Sequence, residues 1–154
     1  MKAALIGLLA VTAVVVGIGA YLLLRPQGGS ATARFASRLD ALCLGTRRQI
    51  EALGQPSSTP IGVIYPGTVK IGRSFVRRAS LLRPPPEQAS ATKTFLEQSA
   101  LYYDGLDYAY HYLTVQKNQV AFVQIVGGAV ANLTNAETAA KALGAKECTL
   151  RPFE

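Results

Sequence analysis

The stretch FASRLDALCLGTRRQIEALG, residues 35–54, decides the fold class. Phe35, Leu39, Leu42, Thr46, Ile50 and Leu53 recur at steps of three and four, which places them on one face of an α-helix. Gly54 follows as a C-cap residue, free to take the left-handed backbone that ends helices. The polar run Gln55–Pro60 is a loop. A second helix starts near Pro60 or Pro66; with Thr59 as N-cap and Pro60 at the first position, Pro66 would kink it. It carries Val69, Ile71, Phe75, Val76 and Leu82 and stops at Arg83-Pro84-Pro85-Pro86, because a residue before proline is pushed out of the helical region.

A third helix is expected from Glu87 to Gln116, with Phe95, Leu96, Tyr102, Tyr103, Leu106, Tyr110 and Leu113 facing inward. Lys117-Asn118 breaks it, and a fourth runs from Gln119 to Leu143, closed by Gly144. Short loops between helices imply antiparallel neighbours. The expected fold is therefore all-α, an up-down-up-down four-helix bundle over residues 34–154. The fourth helix has no charge between Lys117 and Glu137, yet Gln119, Gln124, Asn132, Thr134 and Asn135 interrupt it too often for a membrane span, so a helix buried in the bundle is expected. Gly45, Gly72, Gly105, Gly127 and Gly128 fall inside helices, each costing about 1 kcal/mol relative to Ala unless close packing recovers it.

Upstream, Ala3–Leu24 is apolar except for Gly7, Thr12, Gly17 and Gly19 and holds no charge. As a helix it would reach about 33 Å, against a hydrocarbon core of about 30 Å. Residues 1–25 therefore read as a single-pass transmembrane anchor and 26–33 as a linker. The alternative is a secretory signal cut after the small-x-small triplet Ala31-Thr32-Ala33. No cysteine is placed for lipid attachment, the first being Cys43. Lys2 on one side, against Arg25, Arg34 and Arg38 on the other, gives no positive-inside preference for an external domain. The cysteines decide instead. Cys43 and Cys148 bracket the domain with no CxxC, no CxxCH and no histidine cluster, the pattern of a disulfide in an oxidising compartment. In an up-down-up-down bundle the fourth helix ends beside the first, where these two residues lie.

The 154 residues are 49% apolar and 16% charged, with a net formal charge of +7. The surplus is local. From Arg34 to Arg83 nine Lys and Arg face only Asp40 and Glu51, whereas from Pro84 onward five basic residues face seven acidic ones. Lys70, Arg73 and Arg77 follow helical spacing and form a stripe suited to phosphate or carboxylate groups. A domain outside the membrane meets anionic lipid, envelope polymer or an acidic membrane protein rather than nucleic acid.

Catalytic chemistry has little to stand on. His111 is the one histidine and Met1 the one methionine, which leaves no haem ligand pair and no metal cluster. No phosphate-binding glycine loop occurs, since Gly127-Gly128 sits within a helix. Asp104 and Asp107 lack the Glu-x-x-His partners of a dimetal site and read as a solvated face. Asn132-Leu133-Thr134 fits a glycosylation acceptor inside a helix and is given no meaning. No cofactor is expected. Five tyrosines crowd into residues 102–112. Tyr102, Tyr103 and Tyr110 belong to the inward stripe and offer a lining for a small apolar or aromatic ligand. Tyr108 and Tyr112, four apart, form an outer pair suited to partner contact, with His111 beside them.

The first helix with its early Cys and its EALG end (residues 51–54), the arginine-rich second helix, LRPPPE (82–87) and AKALGAKEC (140–148) together resemble small Ala-rich, secreted or membrane-anchored helical proteins of actinobacteria. The resemblance spans Phe35 to Cys148. It implies a helical bundle with a Cys pair outside the cytoplasm and implies no catalytic residue. Other members often carry more cysteines or a lipid-attachment Cys, which this chain lacks. The expected function is that of a non-enzymatic, membrane-anchored domain on the extracytoplasmic side, binding an envelope component through its basic face. The alternative is a bundle that encloses a small apolar ligand.

Overall fold

A computed structural model describes residues 29–55 and 58–149. The expected anchor, residues 1–25, and most of the linker lie outside them. Four α-helices make up the described chain, with no strand among the described residues: α1 Ala31–Glu51, α2 Ile61–Ser80, α3 Ala89–Thr114 and α4 Gln119–Ala142. A single 3-10 turn, Pro86–Gln88, leads into α3.

Each boundary has a local cause. Ser30 caps α1 by accepting a hydrogen bond from the Ala33 amide at 3.1 Å. Ala31–Ala33, expected as linker, are thus the first turn of the helix. Gly54 at φ +107° and Gly144 at φ +77° take the left-handed conformation just beyond α1 and α4, as their positions predict. Helix α2 begins one residue later than expected. Its cap is Pro60, which has no side-chain donor or acceptor, so Thr59 does not serve as N-cap. The helix continues through Pro66 as one element. The carbonyl of Gly62 loses its intrahelical donor there, but Gly62 and Pro66 are both exposed, so water can satisfy it. Between α3 and α4, Lys117 adopts φ 55° and Asn118 caps α4 by accepting from the Ala121 amide at 3.0 Å.

Consecutive helices are antiparallel. Leu53, just after α1, lies against Gly67 of α2, and Phe35 near Leu82. Gly72 of α2 lies against Tyr103 of α3, and Phe75 meets Phe95 edge-on at 5.9 Å. Gly105 of α3 faces Ala129 of α4, and Gln98 bonds Asn135 at 3.3 Å. The closest and longest approach is α3 to α4. Small residues account for it: Ala129, Ala136, Ala139 and Ala140 form the inner face of α4, so its backbone comes near α3. Phe35, Leu39, Phe75, Phe95, Tyr103 and Leu143 belong to one core fed by all four helices. Full burial of such side chains contributes about 1.5–3 kcal/mol each.

Helix α1 does not pack along α4. The segment after α4 closes the fold instead, running beside α1 in the same direction. Gly144 meets Ala36, the Glu147 amide donates to Asp40 at 2.8 Å, Arg47 pairs with Glu147 at 2.9 Å, and Cys148 is bonded to Cys43. Both cysteines are buried. Among the described residues no helix is long and apolar enough to cross a membrane, which removes α4 as a second span. The expectation of a buried α4 holds only for its second half. Val120 and Val123 are 70% and 65% exposed, and Gly127 and Gly128 are exposed with them.

Two outcomes follow. Reduction should lower the melting temperature by roughly 10–20 °C, since a bridge closing a loop of this length contributes about 2–5 kcal/mol; differential scanning calorimetry with and without reductant checks this. The helical glycines should split by packing. A methyl at Gly72 would strike the Tyr103 ring, so Gly72→Ala should cost about 1–3 kcal/mol, while Gly127→Ala and Gly128→Ala, with open space beside them, should each stabilise by about 0.5–1 kcal/mol in urea denaturation.

Candidate functional site

Lys70, Arg73 and Arg77 lie exposed on α2, but the stripe is not uniform. The guanidinium of Arg73 crosses to α3 and donates to Asp104 at 2.8 and 3.0 Å and to Asp107 at 3.0 Å. The two carboxylates hold its pKa above the ordinary arginine value, the Asp104 hydrogen bond being the larger cause. Asp104 and Asp107, expected as a solvated face, therefore act together as the counterions of Arg73. Lys70 and Arg77 make no ion pair among the described residues.

A second basic cluster sits at the end of the fold where the described chain begins. Arg34 and Arg38, one turn apart on α1, and Arg83, after α2, line one cleft of about 230 Å³. Phe35, Leu82, Pro84 and Pro85 supply the rest of its wall. Arg34 donates to the Gly29 carbonyl at 3.1 Å. None of the three arginines is in an ion pair among the described residues. The nearby carboxylate of Glu87 accepts a hydrogen bond from Thr32 at 3.0 Å. In the sequence these arginines appear only as part of the basic half of the chain. The signal available was the i, i+4 spacing of Arg34 and Arg38; the approach of Arg83 needed the α1–α2 hairpin.

The tyrosines separate into three environments. Tyr103 is fully buried across Gly72, and its hydroxyl has no hydrogen-bond partner among the described residues. Tyr110 stacks on Tyr65 at 6.1 Å, and Tyr65 in turn meets Phe122 at 5.6 Å. Tyr102 lines an apolar cleft of about 130 Å³ between α2, α3 and α4, with Tyr65, Thr68, Leu106, Val126 and Val130. Of the three tyrosines expected to line a ligand pocket, Tyr102 is the one that lines this cleft. Tyr65, which carries no mark in the sequence as a pocket residue, lines the cleft beside it. Thr68 also lines this cleft, and its buried hydroxyl has no partner among the described residues.

Tyr108 and Tyr112 form the expected outer pair. Their hydroxyls lie 3.0 Å apart, their rings meet edge-on at 4.8 Å, and Tyr108 is 54% exposed. The shared hydrogen bond raises the Tyr108 pKa. His111 is exposed and touches Tyr112 only edge-on, at 6.4 Å. No group of three His, Cys, Asp or Glu among the described residues is close enough to hold a metal ion.

The chain matches no protein-family model, no curated protein and no solved structure.

Burial pushes the Tyr102 phenol up to about 12, with smaller contributions from Tyr65 and Glu137, and pushes Tyr103 up further. An unfolded tyrosine ionises near pH 10. Stability should therefore be unaffected by these groups below about pH 10 and fall above it, because the unfolded chain releases protons that the folded chain keeps. Two pKa units at Tyr102 correspond to about 2.7 kcal/mol, an upper figure reached near pH 12. Urea denaturation between pH 8 and pH 12 measures the slope, which Tyr102→Phe should reduce.

Proposed function

We propose that this chain is a membrane-anchored, extracytoplasmic four-helix bundle that holds an anionic envelope component on the basic face of α1 and α2 and carries out no reaction. The observation that carries this reading is the partition of charge. Lys70 and Arg77 stand exposed without a carboxylate partner among the described residues, Arg34, Arg38 and Arg83 do the same around their cleft, and Asp104 and Asp107 of α3 are spent on Arg73. Unpaired cations on one side of a domain raise the local concentration of anions. The buried Cys43–Cys148 bridge supports an oxidising compartment, and the apolar run Ala3–Leu24 supports the anchor. Membership among Ala-rich actinobacterial bundle proteins belongs to the same proposal and rests on the residues quoted for it.

A second reading has an observation of its own. The 130 Å³ cleft is close in size to an engineered cavity that takes up benzene, about 150 Å³, and its lining is mostly apolar. A small aromatic molecule fits that chemistry. A melting shift with phenol that persists at high salt would favour this reading over the first.

The first reading is tested with the full chain in nonionic detergent micelles, titrated with fluorescently labelled polyphosphate as a soluble polyanion. Binding should weaken steeply with salt. Lys70→Gln with Arg77→Gln should lower the affinity at least tenfold, whereas Arg73→Gln, whose charge is already matched, should change it less than threefold. Equal affinity in the double variant and the wild type would remove α2 as a binding face.

A further inference from the structure

The cleft lined by Arg34, Arg38 and Arg83 is the one place in the described fold where three cations converge with no carboxylate to answer them. Arg34 and Arg38 project from the same side of α1 one turn apart, an arrangement of like charges that is unfavourable in isolation. The antiparallel α1–α2 hairpin then adds Arg83. Among the described residues the only backbone acceptor these three side chains engage is the Gly29 carbonyl, which takes one donor from Arg34, so most of the guanidinium N–H groups have no partner there. A guanidinium presents its donors in a planar fork that matches two oxygens of a phosphate. The cleft also opens beside the first turn of α1, where the helix dipole favours negative charge.

The walls fit the rest of such a molecule. Phe35 and Leu82 give the cleft an apolar side, and Pro84 and Pro85 hold the Arg83 backbone in a restricted, extended path. At about 230 Å³ the cleft is larger than an engineered cavity of about 150 Å³ that takes up benzene, so a phosphodiester and the carbons next to it have room there. Glu87, in the 3-10 turn after Pro85, is bonded to Thr32 and makes no ion pair with the arginines.

Position selects the source of the phosphate. Four residues, hence five Cα–Cα steps, separate Leu24, the last of the apolar segment, from Gly29, which touches Arg34. Fully extended they reach at most about 18 Å. The polar layer on each side of a bilayer is itself roughly 5–8 Å deep. With Ala3–Leu24 in the membrane, the arginine cleft is tethered within reach of the headgroups of the same bilayer.

We infer that Arg34, Arg38 and Arg83 form a binding site for the phosphate headgroup of an anionic phospholipid, which docks the base of the domain on the membrane surface. This inference rests on the anchored reading given above and adds a defined ligand and a defined site to it. Arg34 and Arg38 take the phosphate from α1, Arg83 closes over it from the other side, and the acyl chains stay in the bilayer. The site orients the domain, so that α2 and the distal tyrosines face away from the lipid in a fixed direction.

The test uses the full chain in nonionic micelles, with saturation binding of short-chain phosphatidylglycerol read by native mass spectrometry. Phosphatidylcholine and inorganic phosphate are separate probes. The expected result is one tightly held phosphatidylglycerol per chain, with phosphatidylcholine and inorganic phosphate each at least tenfold weaker. Arg34→Gln, Arg38→Gln and Arg83→Gln combined should weaken phosphatidylglycerol at least thirtyfold while the melting temperature in lipid-free micelles stays within about 3 °C. The Lys70→Gln, Arg77→Gln variant should keep wild-type lipid binding. Wild-type lipid affinity in the triple arginine variant would overturn the site, even if polyphosphate binding still depends on Lys70 and Arg77. Inorganic phosphate bound as tightly as the lipid would overturn the lipid assignment. Lipid binding lost in the triple variant, beside polyphosphate binding indifferent to Lys70 and Arg77, would keep the cleft and discard the α2 face.

Discussion

The Cys43–Cys148 bond is the constraint on which the arrangement of α1 depends. Along the fold, each helix packs on the next, and α1 has only α2 as a close helical neighbour. The other side of α1 is covered by the strip of chain after α4, and that strip is nailed down at one buried point. Around it gather the Asp40 bond to the Glu147 amide, the Arg47–Glu147 pair and the Gln88 amide on the Leu143 carbonyl at 3.1 Å. The last of these links the start of α3 to the end of α4 as well. The exposed ion pair among them contributes little alone. Their value lies in holding a short irregular segment once the covalent bond has removed most of its freedom.

Closure by a strip rather than by helix–helix packing has a consequence for the other end of the molecule. The second half of α4 is held between α3 and the core, while its first half, with Val120 and Val123, extends past the Ala-rich contact. Ile61, Val63 and Val115 are exposed as well, on the turns at that same end. The domain thus has two unlike poles. Arginines gather at the pole next to the expected anchor, and valines and the Tyr108–Tyr112 pair gather at the pole away from it.

Charge is organised by contact as well as by count. The two acids of α3 nearest the basic helix converge on a single guanidinium, Arg73, and by doing so fasten α2 to α3. That leaves the flanking Lys70 and Arg77 without an ion-pair partner among the described residues. Had Asp104 and Asp107 stayed in solvent, the face would have carried the same formal charge but a smoother field. The ion pairs concentrate what remains toward Lys70, Arg77 and the arginine cleft.

Much of the fold was legible in the sequence because it depends on local rules. The three- and four-residue steps of Phe35, Leu39, Ile50 and of Phe95, Tyr102, Tyr103 and Leu106 specify helices and their inner faces, and Gly54 and Gly144 mark helix ends through backbone sterics alone. The pairing of the two cysteines followed from topology, since antiparallel helices return the chain to its start. What the sequence left undecided depends on which distant atoms meet. Gly72 and Gly127 look alike in sequence, yet only the first lies under an aromatic ring. Arg73 looks like Lys70 and Arg77, yet only it reaches two carboxylates across a helix boundary. Arg83 lies 45 positions after Arg38 and shares a cleft with it only because α1 and α2 fold back on each other. Spacing along one helix is set by covalent geometry and can be read from a string of letters. The partners of a side chain on another helix are set by crossing points and close packing, and those exist only once the helices have been assembled.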